Sequence, residues 1–347
     1  MALSKVDPNF LNVSQVGGRR NILINGNMEV NQRSFSSNTG RTQFTYAGDR
    51  WIFAKNDVVN YDSSYNSFSV GQTDVPGAKA YHEFTLNSAG SGTDFVRLEQ
   101  RIEDVTTAAG EQVTLSFWAR SNTGSGFTLD ADGITAGPVE IMQYFGTGGT
   151  PSSVVETDFA TSITLNTTWT KYTYTATLPS VSGKTIGTDG NDHLRLIIGT
   201  MMDDDAGNGI QIAQVQLERG DTATPFEHRS YAEELSLCQR YFNNIVDYYG
   251  TNVTGLFMTA AYATDNTYTV YQYPVEMRAP PTFSYGGAYT DFKSRHGNNV
   301  TPSNITTHGY GSKRQIALGF TATATAGSAG WMESVSSDAY MYLDAEF

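Results

Sequence analysis

The chain has 347 residues, 22 Lys and Arg against 35 Asp and Glu, a net charge of −13 and one cysteine, Cys238. That length holds two domains of ordinary size, ~100–200 residues each. The acidity argues against nucleic acid as a partner, because counterion release rewards a basic surface, and a lone cysteine excludes an intrachain disulfide. With 20 Tyr, 18 Phe and 34 Gly, but no Gly-X-Y period or heptad run, the composition predicts an all-β chain. MALSKVDPNF has no apolar h-region, and no apolar run reaches the ~18 residues of a membrane span. The expectation is a chain made and assembled in a cytoplasm without membrane insertion.

Residues 1–20 form a polar arm in which Phe10, Leu11 and Val13 supply an apolar anchor for docking, or else a frayed terminus. From Asn21 the pattern becomes strand-like. Ile22, Leu23 and Ile24 read as a strand covered on both sides, Asn25-Gly26 turns the chain, and Trp51 and Phe53 supply core aromatics, with Arg50 set to pair with a carboxylate. Further strands are predicted at Tyr81–Leu86, Phe95–Ile102, Val113–Ala119, Ile141–Phe145, Ser162–Leu165, Lys171–Thr177 and Leu194–Gly199. Alternation in VTLSFWAR sends Phe117 to one face and Trp118 to the other. The stretches 121–137 and 146–157 read as loops.

Between Ile210 and Leu217 the alternation slips once, after Ile212, which marks a bulged strand. Pro225 enforces an extended passage, and Ser230 with Glu233 forms a capping box that opens a helix. Tyr231, Leu235, Cys238 and Phe242 then line one apolar face, which the preceding β-domain would support. Val253–Phe347 reads as a second β-domain, with Tyr340–Leu343 tied into a sheet.

NILINGNMEVNQRS, GDRW, VTLSFWARS, TTWTKYTYTATLP and VQLERGDTATPFEHRSYAEELSLCQRYF, in that order, resemble the successive parts of tailed-bacteriophage tail-fibre and appendage proteins. In those proteins a carbohydrate-binding-like jelly roll is followed by a helix carrying a CQRYF-type motif. The resemblance implies a jelly-roll β-sandwich plus a smaller C-terminal β-sandwich domain joined by one short helix. Its boundaries here are an arm at 1–20, a jelly roll at 21–228, a linking helix at 229–250 and a β-domain at 251–347. It also implies a virion protein of the tail that binds other phage virion proteins and a host surface glycan. Several copies, a homotrimer, would supply the avidity. The alternatives are a capsid decoration or head-fibre protein and a glycan-degrading depolymerase.

Among the residues themselves, no HxxxH, HxH, GxSxG or P-loop appears, and 35 acidic residues nominate no catalytic pair, so the chain is not expected to be an enzyme. No cofactor is required. The resemblance implies a structural calcium, for which Glu29 of the NGNME start is retained. The last strand reads Ala213-Gln214-Val215-Gln216-Leu217 where the family has a DDVxL-like pattern with a liganding aspartate, so that charged ligand is gone. Asp203 and Asp205, with Asp204 and Asn208, form an oxygen-rich alternative or a solvated turn. Flat aromatics beside hydroxyl-binding side chains suit sugar rings, which nominates Tyr61 and Tyr65, Trp118, and Tyr285 and Tyr289. The tyrosines also fit cross-strand pairs, and Trp118 fits a residue covered by a loop.

Overall fold

The computed structural model describes residues 19–41, 45–56, 59–89, 94–130, 137–202, 205–246, 254–286, 288–296, 299–308, 311–336 and 339–347. The docking anchor Phe10, Leu11 and Val13 lies outside them, as does Asp203. The fold is all-β, in two units. The first runs to Asn31 and from Phe35 to Ser230; the second takes Gln32–Ser34 and Tyr231–Phe347.

The first unit contains β1 (Ser37–Arg41), β2 (Thr45–Tyr46), β3 (Ile52–Lys55), β4 (Asn60–Ser67), β5 (Ala80–Ser88), β6 (Phe95–Glu103) and β7 (Gln112–Ser121). It continues with β8 (Phe127–Asp130), β9 (Val139–Tyr144), β10 (Val155–Ala160), β11 (Ser162–Leu165), β12 (Thr170–Thr177), β13 (His193–Met202) and β14 (Gly209–Arg219). Two six-stranded sheets, β1-β4-β5-β14-β7-β12 and β10-β9-β13-β6-β3-β2, form a jelly-roll sandwich, with β8 and β11 as a separate pair. Alternation explains the layers. Val113, Leu115, Phe117 and Ala119 of β7 and Ile210, Ile212, Val215 and Leu217 of β14 turn inward, joining Val96 and Leu98 of β6 and Leu194, Leu196 and Ile198 of β13 in one core. Trp51 is fully buried and donates its Nε1–H to the carbonyl of Asn25 at 2.8 Å. Arg50 is also buried and donates to the Arg101 carbonyl.

The predicted slip in β14 is a register shift between Ala213 and Gln216, with Gln214 at φ 45°. The bulge opens room for the first segment of the unit. Val215 N–H donates to Gly26 O at 2.9 Å, and a Cβ on Gly26 would lie 2.3 Å from Val215 O, so only glycine lets the backbones meet there. Residues 22–24 are therefore not a strand. The Asn21 side chain breaks the ladder by accepting from Leu23 N and Leu217 N, each at 3.1 Å, and donating to Val215 O. A clasp closes the unit: Arg20 N and Asn21 N both donate to the Glu227 carboxylate at 3.0 Å, and Arg229 donates to Leu23 O at 2.9 Å.

The sequence hid several strands, among them β1, β2 and β10, the last of which begins inside the stretch 146–157 read as a loop. β4 is polar (NYDSSYNS), and β8 lies inside a stretch read as a loop, pairing with β11 through Leu129 and Ile163.

In the second unit the helix α1 spans only Tyr231–Gln239. Phe242, predicted to end its apolar face, instead opens β15 (Phe242–Val246), which pairs with β24 (Tyr340–Asp344) through one register shift between Asn244 and Val246. The buried face of α1 carries Glu234 and Cys238, and Tyr231 is 54% exposed. The helix thus clusters with the second unit rather than being set by the predicted apolar stripe. The remaining strands are β16 (Thr254–Ala263), β17 (Asn266–Gln272), β18 (Thr282–Gly286), β19 (Phe292–Arg295), β20 (Asn299–Val300), β21 (Asn304–His308), β22 (Gln315–Thr321), β23 (Ala329–Ser334) and β24 (Tyr340–Asp344). They form a three-stranded sheet, β15-β24-β18, and a seven-stranded one, β20-β19-β23-β16-β17-β22-β21. Val246, Met341 and Leu343 from the first sheet pack with Phe257, Phe320 and Met332 from the second. Arg33 pairs with Asp344 at 3.3 Å and Glu346 at 3.4 Å.

Candidate functional site

A sandwich exposes the outer faces of its sheets, so the site question is which outward side chains remain open. On β1-β4-β5-β14-β7-β12, two chain segments cover much of the outer face. One is the loop from Phe68 to Lys79, whose Val75 and Ala78 pack with Ala213, Trp118, Tyr81 and Trp169. The other is the segment after β14, where Thr224 N–H and hydroxyl both bond the Glu218 carboxylate and Glu227 N–H donates to Gln216 Oε1. Trp118 is thus the loop-covered residue of the two alternatives, although it keeps a partly exposed edge.

What remains open is a polar ladder across three strands. Register sets Glu83 of β5 beside Gln211 of β14, and Gln211 beside Arg120 of β7. Arg120 Nε donates to Gln211 Oε1 at 2.5 Å, Gln211 Nε2 to Glu83 Oε2 at 2.6 Å, and Asn122 Nδ2 to Glu83 Oε1 at 2.8 Å and Thr85 Oγ1 at 2.7 Å. Every member fixes its neighbour, so the row is rigid before any ligand arrives. Gln211 is buried beneath it, whereas Arg120, Glu83 and Asn122 are half-buried. One end is walled by aromatics. The Arg120 guanidinium lies 5.1 Å from the Trp169 ring centre, and Trp169 meets Tyr81 and Phe68 at 5.5 and 5.4 Å. Burial raises the Tyr81 pKa, and the nearby Glu83 charge raises it further, so its hydroxyl stays protonated at neutral pH.

The outer face of the other six-stranded sheet carries a denser charge network. Arg97 of β6 bridges Glu99 at 2.7 Å and Glu140 of β9 at 3.4 Å, and Arg195 of β13 approaches Glu99 at 3.7 Å. Glu140 and Glu99 are 0% and 1% exposed, and one oxygen of each carboxylate has no hydrogen-bond partner. Desolvation pushes the Glu140 pKa up to about 7, against the pull of Arg97. Depth makes this pair a buried network rather than an open cleft.

The other nominated residues fare differently. Tyr61 is fully buried, 6.1 Å from Phe53 across the core, because position 61 of β4 faces inward; this corrects its nomination as a sugar platform. Tyr65 points the same way and packs on His82 at 5.7 Å. Tyr285 is half-buried against the second core, edge-on to Phe292. Tyr289 begins a 3-10 turn, Tyr289–Asp291, and its side chain lies outside the described residues. Of the calcium nominees, Glu29 is half-buried and Asp205 is buried with its carbonyl accepting from Asn208 N. Among the described residues no three His, Cys, Asp or Glu side chains come together to hold a metal, and the NGNME start serves as backbone scaffolding: Asn25 bonds Val30 and Asp49.

The sequence matches no protein-family model and no curated protein. Among solved structures the chain is similar to the enzymatically active domain of tailspike protein 4 from bacteriophage CBA120, at 14% identity over 58% of this chain and 21% of that one, with a TM-score of 0.31. A putative sugar binding protein from Bacteroides thetaiotaomicron matches at 14% identity over 58% of this chain and all of that one, TM-score 0.32. A xylan-binding CBM22 domain from Paenibacillus barcinonensis matches at 10% identity over 54% and 94%, TM-score 0.31. Likenesses this faint assign no activity.

Proposed function

We propose that the protein is a virion structural protein of a tailed phage, a tail fibre or appendage that docks on other virion proteins and recognises a host surface glycan without catalysis. The observation that carries the glycan reading is the open ladder Arg120–Gln211–Glu83–Asn122 beside Trp169. The viral setting rests on the ordered motifs ending in CQRYF. A pyranose ring lays its apolar face on the half-buried Trp169 ring, while its hydroxyls donate to Glu83 and accept from the guanidinium of Arg120. Because the ladder is already held by its own bonds, binding orders little that was free. One such contact is weak, and several copies on a particle supply the avidity. The reading requires no cofactor.

Trp169→Ala and Glu83→Gln should each weaken retention of the protein on host envelope about tenfold or more, measured at a temperature at which far-UV circular dichroism shows each variant folded, since Trp169 also packs on Tyr81 and Phe68. Purified wild type should block adsorption of the phage and release no reducing sugar. Undiminished retention by both variants removes the ladder as the site, and sugar release transfers the protein to the depolymerase reading.

A further inference from the structure

The ladder beside Trp169 has one settled end and one open end. Glu83 is the settled one: Gln211 Nε2 donates to one carboxylate oxygen and Asn122 Nδ2 to the other. Arg120 is the open one. Its Nε is given to Gln211 Oε1 and its guanidinium lies over Trp169, but among the described residues its two Nη groups make no hydrogen bond and no ion pair. Neither Nη is sealed from solvent. This is out of keeping with a chain of 35 carboxylates. At least eight other arginines among the described residues, Arg97 and Arg195 of the opposite sheet included, are ion-paired with an Asp or Glu. Arg120 has a carboxylate in its own row, Glu83, and is kept from it. Register places Gln211 between the two, and its amide accepts from Arg120 and donates to Glu83. The spacer leaves the guanidinium without an anion at contact range. Lys171 of β12, the register partner of Trp118, adds a second cation to the same face, exposed and without an ion pair among the described residues.

We propose, resting on the glycan reading above, that the ladder selects acidic sugars, and that the group it takes at Arg120 is a carboxylate borne on the sugar ring, as in a uronic acid. With Nε engaged, the guanidinium offers its end, two coplanar Nη donors that match the two coplanar oxygens of a carboxylate. The indole and the Gln211 amide already hold the side chain, so little freedom is lost on pairing. Charge selects the monoanion. A carboxylate balances Arg120, whereas a phosphate monoester, roughly −2 at neutral pH, brings a second charge that Glu83 repels. The net −13 of the chain does not forbid an anion here, because at 0.1 M salt exposed charges more than about 10 Å away are largely screened.

The test is ligand titration of the full chain, followed by NMR at fixed ionic strength, with glucuronate and galacturonate, each against its neutral parent, glucose or galactose, and with glucose 6-phosphate. At least one uronate should bind about tenfold or more tighter than its parent. Arg120→Gln should bring the two level, and Arg120→Lys, which keeps the charge but not the fork, should restore part of the preference. Far-UV circular dichroism checks that both variants are folded. Equal affinity for uronate and parent in wild type overturns the inference and leaves the glycan reading standing, and so does a preference that survives Arg120→Gln. Tighter binding of glucose 6-phosphate than of either uronate overturns the carboxylate in favour of phosphate. If none of these sugars binds, the inference falls, and the glycan reading is decided separately by the envelope retention of Trp169→Ala and Glu83→Gln.

Discussion

The outer faces of the jelly roll and of the seven-stranded sheet follow the same two-residue alternation and arrive at opposite chemistry. In the jelly roll, outward positions hold Arg120, Gln211, Glu83 and Asn122, or Arg97, Glu99, Glu140 and Arg195, and these bond one another across strands. In the second unit, outward positions hold Met258, Tyr262, Val270 and Trp331, with little to bond. Polar side chains that satisfy each other remain stable in water and can exchange bonds with a hydroxylated ligand. Apolar ones gain only when water is removed altogether. The first kind of face is settled in water, whereas the second still carries the cost of wetting apolar surface.

Arg97→Met should break the first kind of face most severely. It leaves Glu140 without its cation and Glu99 with only Arg195, at a cost of about 3–5 kcal/mol in urea unfolding, the usual penalty for stranding a buried charge. An effect under about 1 kcal/mol would mean that the network is wetter than it looks. The next effect depends on pH. Because the folded state raises the Glu140 pKa from 4.5 to about 7, it holds a proton that the unfolded chain loses between those values. The stability this contributes is complete below pH ~4.5 and is lost as pH rises through ~7. Glu140→Gln should therefore gain up to about 3 kcal/mol on wild type between pH 5 and pH 8, read from paired urea midpoints. Equal differences at the two pH values would contradict the shift. Met258→Gln sharpens the other side of the comparison. It should change unfolding by less than about 0.5 kcal/mol, since 73% of Met258 is already in water.

Local patterns in the sequence were legible because each is contained in a few neighbours. The slip between Ile212 and Val215 is the β14 bulge, the alternation in VTLSFWAR does send Phe117 inward and Trp118 outward, and GDRW does deliver Trp51 to the core. The ladder was not legible. Glu83, Arg120, Asn122 and Gln211 come from distant parts of the chain and meet only through register, which no window of sequence displays. Tyr61 misled because NYDSSYNS has the composition of a loop; paired as β4, it turns alternate residues into the core. The helix was overextended past Gln239 because Phe242 falls at helical spacing, yet β24 was available to pair with FNNIV. The pattern from Val253 to Phe347 announced a β-domain, but not which apolar side of β16 the fold would leave open.

The clasp between Arg20, Asn21 and Glu227 joins groups 207 and 206 positions apart. At ~5–20 residues per second, a ribosome delivers that carboxylate roughly 10–40 s after the amides it grips. Within that interval, from the completion of β7 at Ser121 to the arrival of β14 at Gly209, β5 and β7 have been synthesised while the strand that lies between them is still to come. Yield therefore depends on how well the producing cell shelters a nascent chain with its central seam unfilled.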